Sequence, residues 1–361
     1  MMKKLLPFLL ILCLAASFAM AEGGFNESME EDMEVDYFTP APTLEPGTTA
    51  TPVVTEVPVT PVPAWFNPDA TAVPQAEYTL PIDFSAGMKP WAQGLSTDGM
   101  SYEDPTISVV ITKSRAYETD YWVADIRIAD ASQLRTAAAS VAFADSKSAE
   151  SIAQGAGAFD QPFVQKEALR ISDNVNAVLA LNGDSYGHLP TLGYQGYILR
   201  QGKLFFNSLN GKRDVLLIDE DGDFHGVPLA QSGAIGDTIE GKKIINSLCF
   251  GPILVDEGKV VPYTLPEDMA EYEGRRRMCI AQVSQLHYKV IGCMSNYRGN
   301  VGMTLGQFAE IVAGEGVRIA YNLDGGESSY IILCGKKINT VEIEGTRPLW
   351  DIIYFASALP D

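Results

Sequence analysis

"TLGQFAEIVAGEGVRIAYNLDGGESSYI", residues 304–331, decides the fold class. Its first half carries one apolar face. Leu305, Phe308, Ala309 and Val312 recur at helical spacing, and Thr304 with Gln307 has the spacing of a capping box. Gly314 is placed to stop this helix. "VRIAYNL" then reads as a buried strand returning to the core. That strand ends in Asp324, Gly325, Gly326, Glu327, Ser328 and Ser329, which is more chemistry than a plain surface turn needs. The two glycines let the backbone turn sharply and let a ligand approach with no Cβ in the way.

Outward from this stretch, the signals are mostly short strands. "YWVADIRIA" alternates, with Ala124, Ile126 and Ile128 on one face and Asp125 and Arg127 on the other. Strand–turn–strand patterns recur around Gln201-Gly202, Asp221-Gly222 and Glu257-Gly258. Further helices are expected near 131–140 and 162–172. The sum is an α+β fold, with a large mixed, mainly antiparallel sheet and a few packed helices, preceded by a disordered stalk. A second corner resembles the first: "NAVLALNGDSYG" is an apolar strand ending in Asn182, Gly183 and Asp184. Two such strand ends form one pocket if the strands are neighbours, whereas both are ordinary turns if they are not.

The chain of 361 residues divides by composition. "MMKKLLPFLLILCLAASFAMA" has a basic start, a short apolar run and a small-x-small end, so residues 1–21 read as a signal peptide. Cys13 in "LILC" offers a lipoprotein signal as the rival, although Leu12 stands where a small residue is usual. No other stretch is long and apolar enough to span a bilayer, so the mature chain is expected outside the membrane, secreted or at the cell surface. Residues 22–78 are rich in Thr and Pro without an apolar period, and read as a disordered acidic linker. The formal net charge of −20 falls as +2 on the leader, −11 on the linker and −11 on residues 79–361. So acidic a chain is a poor nucleic-acid binder, because that contact depends on Lys and Arg at phosphates. Residues 79–361 have globular composition and show no internal repeat.

Other constellations are weaker. "IDEDGDFHG" sets Asp219, Asp221 and Asp223 at alternate positions, but it lacks the closing Glu of a calcium loop and reads as a hairpin turn. His188, His225 and His287 have no metal-ligand spacing, and only His188 lies near a candidate corner. No metal site or cofactor is expected, and a requirement for a divalent cation stays open. Cys249, Cys279, Cys293 and Cys334 have no zinc or redox spacing; disulfides and buried thiols both remain open for them.

Several ordered blocks resemble the phosphodiester glycosidase family. "NLDGGESSYIILCGKKINT" is similar to its "NLDGGGSS…NG…VN" signature, and "VGMTLGQFAEIVAGEGVRIAYNLDGG" to the helix and strand leading into it. "AVLALNGDSYG" resembles its "AINGDYF" corner, "CFGPILVDEGKVV" its "FGPVLVKDGK", "RRRMCIAQV" its "PRTAIGV", and "TRPLWDIIYFASA" a common ending. "SYEDPTISVVI", "YWVADIRIADASQLRTA" and "GYILRQGKLFF" look like its opening strands and its glycine-containing hairpin.

The resemblance implies hydrolysis of a sugar–phosphate bond in glycosyl phosphodiesters of envelope or extracellular glycans. It carries over residue by residue. Asp324, Arg277 and Asp184 would be catalytic, with Arg277 on the phosphate and Asp324 as nucleophile or base. Asn182, Gly183, Gly251, Gly325, Gly326, Glu327, Ser328 and His188 would bind substrate. Arg275 and Arg276 allow a slip of one or two positions at the arginine. Glu327 stands where the family has a third glycine, and Met278 and Ala281 where it has Thr and Gly. The added carboxylate keeps a second class open: a non-catalytic glycan-binding or structural envelope protein. The sugar, the aglycone, the stereochemical course and the oligomeric state are not written in the sequence.

Overall fold

The computed structural model describes residues 77–139, 167–184, 197–207, 213–228, 231, 235–262, 274–295, 299–339 and 347–360. All lie in the compact unit Pro52–Asp361. The signal peptide, all but the last two linker residues and His188 lie outside the described residues.

The chain opens with a meander of β1 (Ser101–Asp104), β2 (Ile107–Ala116) and β3 (Thr119–Ile128). Then β4 (Leu134–Ala138), helix α1 (Ala168–Asn174) and β5 (Ala177–Asn182) start a second sheet. The hairpin β6 (Tyr197–Arg200) and β7 (Lys203–Asn207) follows. Strands β8 (Val215–Asp219), β9 (Phe224–Val227), β10 (Thr238–Ile239) and β11 (Lys242–Leu248) make a third sheet. The chain returns to the first with β12 (Ile253–Asp256), β13 (Lys259–Val260), β14 (Met278–Ser284) and β15 (His287–Cys293). Helix α2 (Leu305–Gly314) leads into β16 (Ile319–Leu323). The second sheet is completed by β17 (Ile331–Leu333), β18 (Lys336–Lys337) and β19 (Asp351–Ala356).

The large sheet runs β1-β2-β3-β15-β14-β16-β12-β13 and the second β18-β17-β5-β19-β4. Every ladder between the described strands is antiparallel. Side-chain alternation explains the layering. Ile126, Ile280 and Tyr288 of the large sheet share one core with Leu179, Leu181 and Phe355 of the second. The opposite face of the large sheet, with Cys279, Ile291 and Ala320, is covered by Leu305, Phe308 and Val312 of α2. The outer face of the second sheet, with Ala180, Ile352 and Tyr354, is covered by Ala168 and Ile171 of α1. The order is helix, sheet, sheet, helix, an α+β fold of mainly antiparallel strands.

Helix α2 forms as its sequence predicts. Thr304 Oγ1 accepts from Gln307 N at 3.2 Å, and Gln307 Oε1 accepts from Thr304 N at 3.0 Å. Its end lies slightly later than expected. Gly314 is the last helical residue, and the left-handed position is Gly316, with φ 71°. The turns at Gln201-Gly202 and Glu257-Gly258 take positive φ at both residues, as two-residue hairpins require.

The expected helix at 131–140 is not formed. Asp130 and Gln133 cap a single 3-10 turn over Ala131–Gln133, after which Leu134–Ala138 pairs with β19 from Leu134↔Phe355 to Ala138↔Asp351. Partner strand and burial override the helix propensity of this alanine-rich run. The helix expected at 162–172 begins at Ala168 within the described residues. Cys249, Cys279, Cys293 and Cys334 are all free thiols.

Candidate active site

The two corners singled out in the sequence meet. Asn182, buried at the end of β5, donates from Nδ2 to the carbonyl of Asp324 at 2.8 Å. Its Oδ1 accepts from Tyr330 N at 3.4 Å, at the start of the strand that leaves the second corner. A third segment joins them. Asn322 Nδ2 donates to Gly251 O at 2.8 Å, and Asp184 accepts from the backbone N–H groups of Cys249 at 2.9 Å and Phe250 at 3.1 Å. Segments 182–184, 249–252 and 322–330 are thus tied together by side-chain amides and one carboxylate reaching backbone groups. Asn322 Oδ1 is buried and has no partner among the described residues.

Two glycines are required by close approach. A Cβ on Gly183 would lie 2.2 Å from Asp351 Oδ1, and one on Gly325 would lie 2.2 Å from the Arg276 carbonyl. Gly326 is different: it has φ 54° and open space at the Cβ position, and its N–H donates to Arg276 O at 3.1 Å. Residues Gly326–Ser328 form one 3-10 turn, which leaves Glu327 exposed and Ser328 buried.

The Asp324 side chain is 19% exposed, and its Oδ2 lies 3.8 Å from Arg347 Nη1. Arg347 also donates to Ser328 Oγ at 3.3 Å, and its Nη2 lies 3.8 Å from Glu327 Oε2. Arg347 was not singled out as a site residue by sequence reasoning. It lies 23 positions beyond Asp324, and only the quoted "TRPLWDIIYFASA" block could have drawn attention to it.

The arginine run divides by alternation. The ladder between β14 and β16 ends at Met278↔Leu323, so Arg277 and Asp324 follow as the next opposed positions, which share one face of the sheet. Arg277 leaves the strand on the Cys279 face, which α2 covers, and its Nε donates to Met303 O at 3.1 Å. Arg276 leaves on the Met278 face and is buried. Burial pushes the Tyr330 phenol up to about 12, while the positive charges of Arg276 and Arg347 act in the opposite direction. Arg276 and Arg347 are therefore the arginines whose charge reaches the Tyr330 side of the corner.

Asp184 is placed differently from what a substrate-facing acid would need. Its side chain has no exposed surface and accepts from Arg200 Nη2 at 3.0 Å as well as from the two backbone N–H groups. Burial raises its pKa. Gly251 sits in the turn that this carboxylate holds, with its own carbonyl on Asn322. Among the described residues no group of three His, Cys, Asp or Glu side chains is arranged to hold a metal ion. The "IDEDGDFHG" acids form a turn: Asp219 accepts from the N–H groups of Asp221 and Asp223 and from His225.

The family model described as phosphodiester glycosidase matches residues 175–356, about half of the chain, and spans every segment just named. No curated protein sequence matches the chain. Among solved structures, the catalytic domain of zebrafish N-acetylglucosamine-1-phosphodiester alpha-N-acetylglucosaminidase, auto-inhibited by its pro-peptide, superposes with a TM-score of 0.52 at 14% identity. That likeness covers 75% of this chain and 87% of the other, and shows a shared fold. A hypothetical protein from Synechocystis matches with a TM-score of 0.42 at 14% identity, over 69% of this chain and 62% of the other.

Proposed function

The chain belongs to the phosphodiester glycosidase family, and from that premise we propose that it is an exported hydrolase of glycosyl phosphodiesters. The bond broken is the one between the anomeric carbon and the phosphate oxygen. Water supplies the oxygen that the sugar carbon gains, and the products are a free sugar and a phosphomonoester. The observation that carries this reading is the pairing of a partly exposed acid, Asp324, with a half-exposed guanidinium, Arg347, on a corner that three segments hold rigid.

The chemistry suits those groups. A phosphate leaves with little need of a proton, so its developing charge is what must be met, and a guanidinium fork does this with paired hydrogen bonds. Arg347 meets it from the open side. The resemblance puts the family arginine at Arg277, which the ladder register sets opposite Asp324 and so on the same face; the charge that Arg276 places near Tyr330 keeps the one-position slip open. Asp324 faces the positive character that develops at the sugar carbon, as nucleophile or as base for water. Asn182 and the buried Asp184 set its position. Ser328 orients Arg347. Export rests on the leader read at residues 1–21, and the envelope or extracellular location follows from it.

Glu327 supports the second reading, a glycan-binding protein without turnover. Its carboxylate competes with substrate for Arg347 at 3.8 Å. The test is release of reducing sugar from the methyl phosphodiesters of glucose 1-phosphate and N-acetylglucosamine 1-phosphate. Turnover supports the hydrolase. Binding of the intact diesters by calorimetry, with no sugar released, would favour the second reading.

A further inference from the structure

We infer that Arg200 and Asp351 are positioning residues of this site: together with Asp184 they form a buried hub that sets the Asn182–Gly183–Asp184 corner against the Cys249–Phe250 backbone, and through Asn182 fixes Asp324. The inference rests on the hydrolase reading for its effect on turnover, but its geometry stands alone.

Arg200 ends β6. Its Nε and Nη2 donate to Asp351 Oδ2 at 3.1 and 3.0 Å, and Nη2 also donates to Asp184 Oδ2 at 3.0 Å. Its Nη1 donates to Leu199 O and to Ser247 O, on β11. Asp351, the first residue of β19, accepts from Gly183 N through its backbone carbonyl at 3.2 Å, and its carboxylate fills the space where a Gly183 Cβ would be. The ends of β5, β6, β11 and β19 therefore meet at one guanidinium. None of the three side chains is more than 3% exposed, so none touches substrate. An ion cluster this buried is no better for stability than well-packed apolar groups. What it provides, and an apolar cluster would not, is a fixed direction for the Asn182 corner and for two backbone N–H groups.

The hub is also unbalanced in charge among the described residues. Among the described residues, the charged groups that act on Asp351 are Arg200 from β6 and Asp184 from the corner, while the Cys249 thiol, just beyond β11, lies against Arg200 and Asp184. Two carboxylates share one guanidinium. Burial, opposed by Arg200 and reinforced by the charge of Asp184, pushes the Asp351 carboxyl up to about 7. This group is raised above its unfolded value of 3.8, so its contribution to stability is complete below about that pH and is lost as pH rises through about 7. Above neutrality the two carboxylates together carry more negative charge against one guanidinium, which loosens the corner.

The experiment compares the wild type with Asp351→Asn, which imitates the protonated form, and with Arg200→Lys, which keeps the charge but loses the fork. With the methyl phosphodiester of N-acetylglucosamine 1-phosphate, wild-type kcat should fall about tenfold from pH 6 to pH 8.5 with KM within about twofold, the signature of lost orientation. Asp351→Asn should lose that alkaline limb whatever its plateau, and Arg200→Lys should lower kcat about tenfold at pH 6 at unchanged KM. Independently of turnover, the wild-type thermal midpoint should fall through pH 7 while that of Asp351→Asn does not. Exchange of the Cys249 and Phe250 amides should quicken above pH 7 in the wild type only, after correction for intrinsic rates. If no diester is hydrolysed, the hydrolase reading fails, and the midpoints and amide exchange still decide the hub. The same alkaline limb in kcat, or the same midpoint profile, in the wild type and Asp351→Asn would overturn the inference. If Arg200→Lys does not fold, the Asp351→Asn comparison alone decides.

Discussion

The side-chain amide of Asn182 donates to the main-chain carbonyl of Asp324 across 2.8 Å, so the end of the second sheet's β5 holds the acid at the end of the large sheet's β16. With the bond from Tyr330 N to Asn182 Oδ1, it joins the two corners. Asn182→Ala removes it and also leaves Tyr330 N without its 3.4 Å acceptor. The loss should destabilise the fold by about 1–2 kcal/mol and lower kcat by about tenfold or more through misplacement of Asp324. Denaturant unfolding together with sugar release checks both. A folded variant with unchanged kcat would separate the corner from the chemistry.

The two glycines of the DGG motif should respond in opposite ways. Gly325→Ala pushes a Cβ to 2.2 Å from the Arg276 carbonyl, a backbone atom that cannot swing aside, and should cost about 2–4 kcal/mol. Gly326→Asn meets open space at φ 54°, where Asn is tolerated, and should stay within about 1 kcal/mol of the wild type. Equal losses in thermal midpoint at the two sites would show that the motif is not packed as described.

Much of this was legible. Thr304 and Gln307 announced helix α2 because capping is local, and Asn182 and Asp324 were visible as strand ends rich in short polar groups. What was not legible depends on partners far away in the chain. "LRTAA" is a strand only because β19 lies beside it, more than 200 positions later. Arg200 meets Asp184 after 16 positions and Asp351 after 151, which no periodicity reports. Gly183 was readable as a turn residue, but its reason, the Asp351 carboxylate, was not. The three consecutive arginines look alike in sequence, and only strand alternation separates Arg276 from Arg277.

Glu327→Gly puts in the glycine that the resemblance expects at this position and frees Arg347 from the acid at 3.8 Å. Both side chains are more than half exposed, so stability should change by no more than about 0.5 kcal/mol. KM for a methyl sugar phosphodiester should fall severalfold, because the phosphate no longer competes with a carboxylate. Steady-state kinetics reads this directly, and an unchanged KM would show that Glu327 does not restrain Arg347.

Arg135 should fix where the folded unit starts. It is wholly buried and donates to the carbonyls of Pro81 at 2.8 Å, Asp83 at 2.9 Å and Ser85 at 3.0 Å, and to Tyr354 Oη at 3.0 Å. Limited proteolysis should therefore leave a resistant fragment beginning near residue 80, in keeping with the linker expected at 22–78. Arg135→Ala should cost about 3 kcal/mol and move the cleavage edge into the meander. An unshifted fragment in that variant would count against the anchor.

In the proposed mechanism Asp324 acts on the sugar carbon while arginine holds the phosphate. Asp324→Asn keeps size and hydrogen-bonding capacity but removes the charge, and the Asn182 bond, made to the main chain, survives. The measurement is reducing-sugar release from the methyl phosphodiester of N-acetylglucosamine 1-phosphate, with the thermal midpoint taken on the same samples. Turnover should fall on the order of a hundredfold or more, as it does when a main electrostatic or nucleophilic group is lost, while the midpoint stays within about 3 °C. A folded Asp324→Asn protein that releases sugar at the wild-type rate would contradict the account.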